Sequence, residues 1–148
     1  MKSRISLYAL IILILIALGS IWLFSLQEDP EPLPVLPATI DRDCAPWDGS
    51  AFTVSIPIEE SAIDISIYQS PDIRSPVTFS FPDETMRIGN AFLLLPGTSP
   101  EPLTGKVSFQ RVEQGFTVEG EFDLLTATGK QFKGRFKAEW ENQPIYCG

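Results

Sequence analysis

GFTVEGEFDLLTATGKQFKGRFKAEW, residues 115–140, alternates apolar and polar side chains with a period of two on both sides of a short polar break. Phe116, Val118, Gly120, Phe122 and Leu124 fall on one face of an extended segment, and Phe132, Gly134, Phe136, Ala138 and Trp140 on one face of the next. Successive side chains of a strand point to opposite faces, so this is the pattern of two half-buried strands. A hairpin has to bring the two apolar faces to the same side. A three-residue loop, Ala127-Thr128-Gly129, does so, with the glycine supplying the left-handed residue such loops favour. That register sets Leu124 opposite Phe132, Phe122 opposite Gly134 and Gly120 opposite Phe136, so that two rings each face the space above a glycine. On the outer face it sets Asp123 against Lys133, Glu121 against Arg135 and Glu119 against Lys137, three opposite-charge pairs each worth a few tenths of a kcal/mol.

The same parity test one hairpin earlier selects a two-residue loop, Gln114-Gly115, because it brings Val107 and Phe109 onto the face of Phe122 and Gly120. Phe109 then meets Gly120 from the other side. The expected unit is a three-stranded antiparallel meander over Gly105–Glu113, Phe116–Thr126 and Lys130–Trp140. Upstream, AFTVSIPI places Phe52, Val54, Ile56 and Ile58 on one face, and AIDISIYQ does the same with Ile63, Ile65 and Ile67. VTFSF from Val77 and AFLLL from Ala91 read as further strands, separated by PDETMRIGN. The pairing of residues 70–100 is not fixed by pattern. Pro57 belongs at an edge or bulge, since it cannot donate to a ladder. These segments define an all-β fold, a small antiparallel β-sandwich or partly open barrel of about seven strands.

The ladder at 115–140 followed by Cys147-Gly148 resembles the C-terminal end of many small exported bacterial proteins, whose β-domains carry spaced G-x-F units and a late cysteine. The likeness covers the last third of the chain and implies an exported β-domain of unassigned activity. Many of those proteins carry a lipid-attachment cysteine where this chain has an apolar stretch.

That stretch, Ile5–Leu26, contains no charge over 22 residues and follows Lys2 and Arg4. A bilayer core takes roughly 20 apolar residues in helix, so the length suits one transmembrane helix. A cleaved signal would end its shorter apolar region at small residues. Ala17-Leu18-Gly19 is the one candidate, and cleavage there leaves Ile-Trp-Leu-Phe exposed at the new terminus. An uncleaved signal anchor is expected, with residues 1–4 cytoplasmic and the C-terminal bulk periplasmic or extracellular by the positive-inside rule. Trp22 and Phe24 lie near its outer end. Residues 27–40, with prolines at 30, 32, 34 and 37, read as an acidic polyproline spacer. The exported domain is then 41–148. It contains the two cysteines, Cys44 and Cys147, and an oxidising compartment favours a disulfide between them. Closing so long a loop is worth about 4 to 5 kcal/mol in the chain-entropy model.

Histidine is absent, which removes serine-histidine and cysteine-histidine catalysis and the commonest metal ligand. No glycine-rich phosphate loop follows a strand, and Glu119, Glu121 and Asp123 have expected cationic partners, which leaves a carboxylate-dependent hydrolase as a remote alternative. No cofactor is expected. Asp41, Asp43 and Asp48 offer oxygen ligands at short spacing, a weak calcium candidate outside the EF-hand pattern. Residues 27–103 contain 13 acids against three bases, and 104–148 contain six of each. The acidic balance argues against nucleic acid as a partner. Trp47, Tyr68 and Tyr146 lie off the core faces and are the candidate binding aromatics, suited to a sugar face or a partner's pocket. The expectation is a membrane-tethered, non-enzymatic binding or scaffolding module of the cell envelope, with an envelope protein as partner; the alternative is a glycan-binding module.

Overall fold

The computed structural model describes residues 32–141, except 84 and 86, and residues 145–147. Its strands are β1 (Val35–Cys44), β2 (Ser50–Ile58), β3 (Ser61–Ile67), β4 (Asp72–Ile73), β5 (Val77–Phe81), β6 (Gly89–Leu94), β7 (Glu101–Pro102), β8 (Thr104–Glu113), β9 (Val118–Leu125) and β10 (Gln131–Trp140). Residues 1–31, which include the expected anchor at 5–26, lie outside the described residues. No helix among the described residues is long and apolar enough to cross a membrane.

The C-terminal meander has the expected registers. Leu124 faces Phe132, Phe122 faces Gly134 and Gly120 faces Phe136. The loop closes with Thr126 N–H donating to Lys130 O at 3.0 Å and Gly129 N–H donating to Thr126 O at 3.0 Å, Gly129 standing at φ +85°. On the outer face Lys133–Asp123, Arg135–Glu121 and Lys137–Glu119 lie 3.7, 3.3 and 2.8 Å apart. In the preceding hairpin Val107 faces Phe122 and Phe109 faces Gly120, but the register then shifts so that Arg111 faces Glu119. The extra residue is a β-bulge between Phe109 and Arg111. It turns Val112 inward, fully buried, and leaves Phe116 outside and 55% exposed. Phe116 therefore does not share the inner face of β9, which begins at Val118. Its ring instead lies under the Arg111 guanidinium at 4.9 Å.

β2 and β3 pair as their pattern requires, Phe52 with Ile67, Val54 with Ile65 and Ile56 with Ile63. β3 then pairs with β6, and the short β7 follows on the far side of β6. β4 and β5 both run along the outer side of β8. The path is β4-β8-β9-β10-β1-β2-β3-β6-β7, one curled, partly open sheet. The seam lies between β5 and β6–β7.

Two expectations are corrected. The spacer read at 27–40 ends before Val35, and the compact unit begins at Leu33. Leu36, Ala38 and Ile40 alternate inward from β1, and the prolines around them hid a strand. The sheet is also not wholly antiparallel. β1 runs parallel to β10, Val35 beside Arg135 through Ile40 beside Trp140, and antiparallel to β2. The β1–β2 ladder stops at Thr39 and Ser55. Two residues further the same register would set Pro37 opposite Pro57, where neither nitrogen can donate, so β2 has lost β1 as a neighbour by the time Pro57 is reached.

The core is centred on Phe109. Its ring meets Phe52 of β2 at 5.6 Å, Phe79 of β5 at 5.9 Å and Phe136 of β10 at 5.7 Å, all edge to face. A Cβ placed on Gly120 would come within 2.5 Å of Ser108 O and closer still to the Phe136 ring. Gly120→Val should therefore destabilise the domain by about 1 to 3 kcal/mol through overpacking, read as a lowered denaturation midpoint. Glu121→Lys, on the half-exposed outer face, should cost only about 0.5 kcal/mol. Equal midpoints for the valine variant and the parent would show that the face of Gly120 is not core.

Candidate functional site

β1 ends at Cys44, and the next five residues fold into a tight turn. Asp48 N–H donates to Ala45 O at 3.0 Å, Ala45 N–H donates to Gly49 O at 2.8 Å, and Asp48 takes φ 63°. A Cβ at Gly49 would lie 3.0 Å from Trp47 Nε1, so glycine lets the indole lie against its own turn. The indole meets Tyr68, just beyond β3, edge to face with centroids 5.4 Å apart. Tyr68 is fixed by its backbone N–H, which donates to Ile88 O at 2.9 Å, and by the Asn90 side-chain amide, which donates to its hydroxyl.

Two of the three aromatic candidates are thus brought together, and they flank a groove. Pro46, Tyr68, Phe81, Phe92, Pro102 and Leu103 supply most of its apolar wall, around a cavity of about 320 Å³. Phe81 comes from β5 and Phe92 from β6, so the groove occupies the seam of the curled sheet. Trp47 and Ile88 beside it remain 51% and 41% exposed, large apolar groups left to solvent. Trp47 also shares a second cavity, about 330 Å³, with Arg87. Tyr146 does not line the groove. It stands 91% exposed in the tail next to Cys147.

Cys44 and Cys147 form a disulfide with Cα atoms 5.5 Å apart. It fastens the tail to the end of β1, so Cys44 lies at a strand terminus rather than before the first strand. Beside it is a polar cleft of about 510 Å³ lined by Arg42, Ser70, Asp72, Arg74 and Gln114. Its charges are largely answered: Arg74 pairs with Asp72 at 3.0 Å, and Arg42 donates to the Gln114 side-chain oxygen.

The three aspartates of the calcium candidate are not assembled as a ligand set. Asp43 accepts from Cys44 N–H at 2.7 Å and from Thr53 Oγ1 at 3.0 Å, Asp41 lies on the same outer face of β1, and Asp48 belongs to the turn. Among the described residues no group of three or more His, Cys, Asp or Glu is placed to hold a metal ion. Burial first, then the negative charges of Glu141 and Asp43, raise the pKa of Asp41 above its ordinary value. Glu119 is moved the other way by the hydrogen bond from Lys137 and by that cation's charge.

Pattern reading found Trp47 and Tyr68 because both lie off the apolar faces of the neighbouring strands. It missed Ile88, Asn90 and Arg87, which sit in or just after the PDETMRIGN stretch. The available signal there was Asp83, whose Oδ2 accepts from Thr85 Oγ1 at 3.0 Å, Arg87 N–H at 3.3 Å and Ile88 N–H at 2.9 Å, an aspartate folding its own loop. Comparison with models of protein families, with curated proteins and with solved structures finds no match for this chain.

The two shifted carboxylates give opposite pH signatures. A native pKa raised above the unfolded value means that ionised Asp41 destabilises the fold, a cost present above its native pKa and relieved as pH falls through it. Asp41→Asn should therefore raise the melting temperature at pH 7, with the gain vanishing as pH falls below the unfolded pKa. Glu119 stabilises above its unfolded pKa, and that contribution is lost as pH falls through the lowered native value. Glu119→Gln should lower the melting temperature at pH 7 and have no effect at low pH. Melts of both variants across pH 3 to 7 test the pair.

Proposed function

We propose that the protein is a non-enzymatic binding module, tethered by residues 5–26 to a membrane with its β-domain outside, and that its partner seats in the Trp47–Tyr68 groove. The observation that carries this reading is the meeting of two sequence-distant aromatics, exposed Trp47 and half-buried Tyr68, at an apolar groove that Tyr68 lines. Large amphipathic rings in desolvated pockets dominate the energetics of recognition.

An envelope protein is the partner expected. The half-exposed face of Trp47 also suits stacking on a sugar ring, which keeps a glycan as the second reading. Photo-cross-linking from position 88 in intact cells should yield a discrete adduct that is lost in Trp47→Ala, while Tyr146→Ala leaves it unchanged. Glycan-array binding lost in the same variant would favour the sugar. Added protease should remove the domain from spheroplasts, and carbonate washing should leave the chain in the membrane pellet. A soluble mature form beginning at Ser20 would contradict the tether.

A further inference from the structure

We infer that the seam groove and Arg87 together form a binding site for a small anionic amphiphile. The apolar body would lie against Tyr68, Phe92 and Pro102, and the anionic head on the Arg87 guanidinium. This rests on the reading of the Trp47–Tyr68 groove as the binding site and adds the chemistry of what it holds.

Three observations carry it. The first is the lining. Of the groove's three polar side chains, Asn90 and the Tyr68 hydroxyl are hydrogen-bonded to each other and Asp83 accepts from its own loop, so the mostly apolar wall suits a hydrocarbon. At about 320 and 330 Å³, the groove and the neighbouring Trp47–Arg87 cavity fall at the small end of ligand sites and are adequate for a short chain.

The second is charge. Arg74, Arg111, Lys133, Arg135 and Lys137 each pair with a carboxylate. Arg87 pairs with none among the described residues, although residues 27–103 hold 13 acids against three bases. Arg42 likewise has no carboxylate partner among the described residues but donates to Gln114 in the polar cleft, whereas Arg87 lies in the cavity of Trp47, where its charge attracts an anion. Asp83 also borders the groove, but its Oδ2 is occupied by three donors of its own loop, and that loop is what presents Arg87.

The third is continuity. Trp47 lines the cavity that holds Arg87 and contacts Tyr68, which lines the groove. A ligand with its head on Arg87 therefore passes the indole before reaching the apolar wall. Carboxylate and phosphate heads share the chemistry that a guanidinium recognises.

The test uses the full chain, labelled with 5-fluorotryptophan and reconstituted in lipid nanodiscs, with the Trp47 fluorine resonance assigned through Trp47→Phe. Octanoate, octyl phosphate and octanol are titrated separately. The Trp47 resonance should shift saturably with one or both anions at about tenfold lower concentration than with octanol, the factor expected of one charge-assisted contact. The better of the two anions distinguishes a fatty-acid from a phosphate head. Arg87→Gln should abolish the preference while leaving the octanol response and the Trp140 resonance unchanged. Equal responses to octanol and the anions, or a preference that survives Arg87→Gln, would overturn the inference. If no amphiphile moves Trp47 while cross-linking in cells still depends on it, the amphiphile site is wrong and the binding groove stands.

Discussion

The ring of Phe109 needs a hole in the neighbouring strand, and Gly120 is that hole. Because β9 lacks a side chain there, Phe109 from β8 and Phe136 from β10 approach the same point from both sides. From this pair the Phe109 ring stands high enough above the sheet to reach Phe52 on β2. β8 and β2 are separated by three strands along the sheet path, so contact between their rings requires the sheet to curl. Right-handed strand twist predisposes a long sheet to this curvature, and the aromatic centre gives it something to close upon. Gly134 repeats the device lower down, where a Cβ would lie 3.0 Å from Phe122 Cζ.

From the curl follows the placement of the ends. β1 fills the position between β10 and β2, so the beginning and end of the domain lie side by side and in parallel. Cys44 closes β1, and the tail after β10 turns back to it through the disulfide. The bond encloses a loop with a sequence separation of 103, long enough for about 4 to 5 kcal/mol of stabilisation in the chain-entropy model. The turn that follows Cys44 then delivers Trp47 to Tyr68. Curvature leaves a seam open between β5 and β6, and the groove is that seam, with Tyr68 in its wall and Trp47 against Tyr68.

Much of this was legible in the sequence because side-chain parity is a strong constraint. Gly120 and Gly134 opposite Phe136 and Phe122, the three outer ion pairs and the loop at 127–129 could all be read from residues 105–140, since a slip of one residue turns every ring to solvent. Phe116 could not, because a bulge inserts one residue and parity reasoning assumes none. β1 was hidden by Pro34 and Pro37, whose density resembles a spacer, while the parallel partner that gives it a place lies about 100 positions away (Val35 beside Arg135). The aromatic pair was half legible. Trp47 and Tyr68 were marked as exposed, but their meeting depends on the curl, and the Arg87 loop depends on hydrogen bonds to Asp83 that no alternation reveals. The aspartates illustrate the reverse, a pattern of ligand-type residues in which Asp43 is given to a backbone N–H and a threonine and Asp48 to a turn.

Function in this account follows from geometry at the open seam, and the seam exists because the sheet curls around Phe109. Ring-to-ring nuclear Overhauser contacts in a selectively labelled aromatic spectrum of the protein test that claim most directly. The account predicts contacts from Phe109 to Phe52 as well as to Phe79 and Phe136, together with a contact between Trp47 and Tyr68. Contacts from Phe109 to Phe79 and Phe136 alone, with none to Phe52, would mean a sheet that does not close upon itself, and would contradict it.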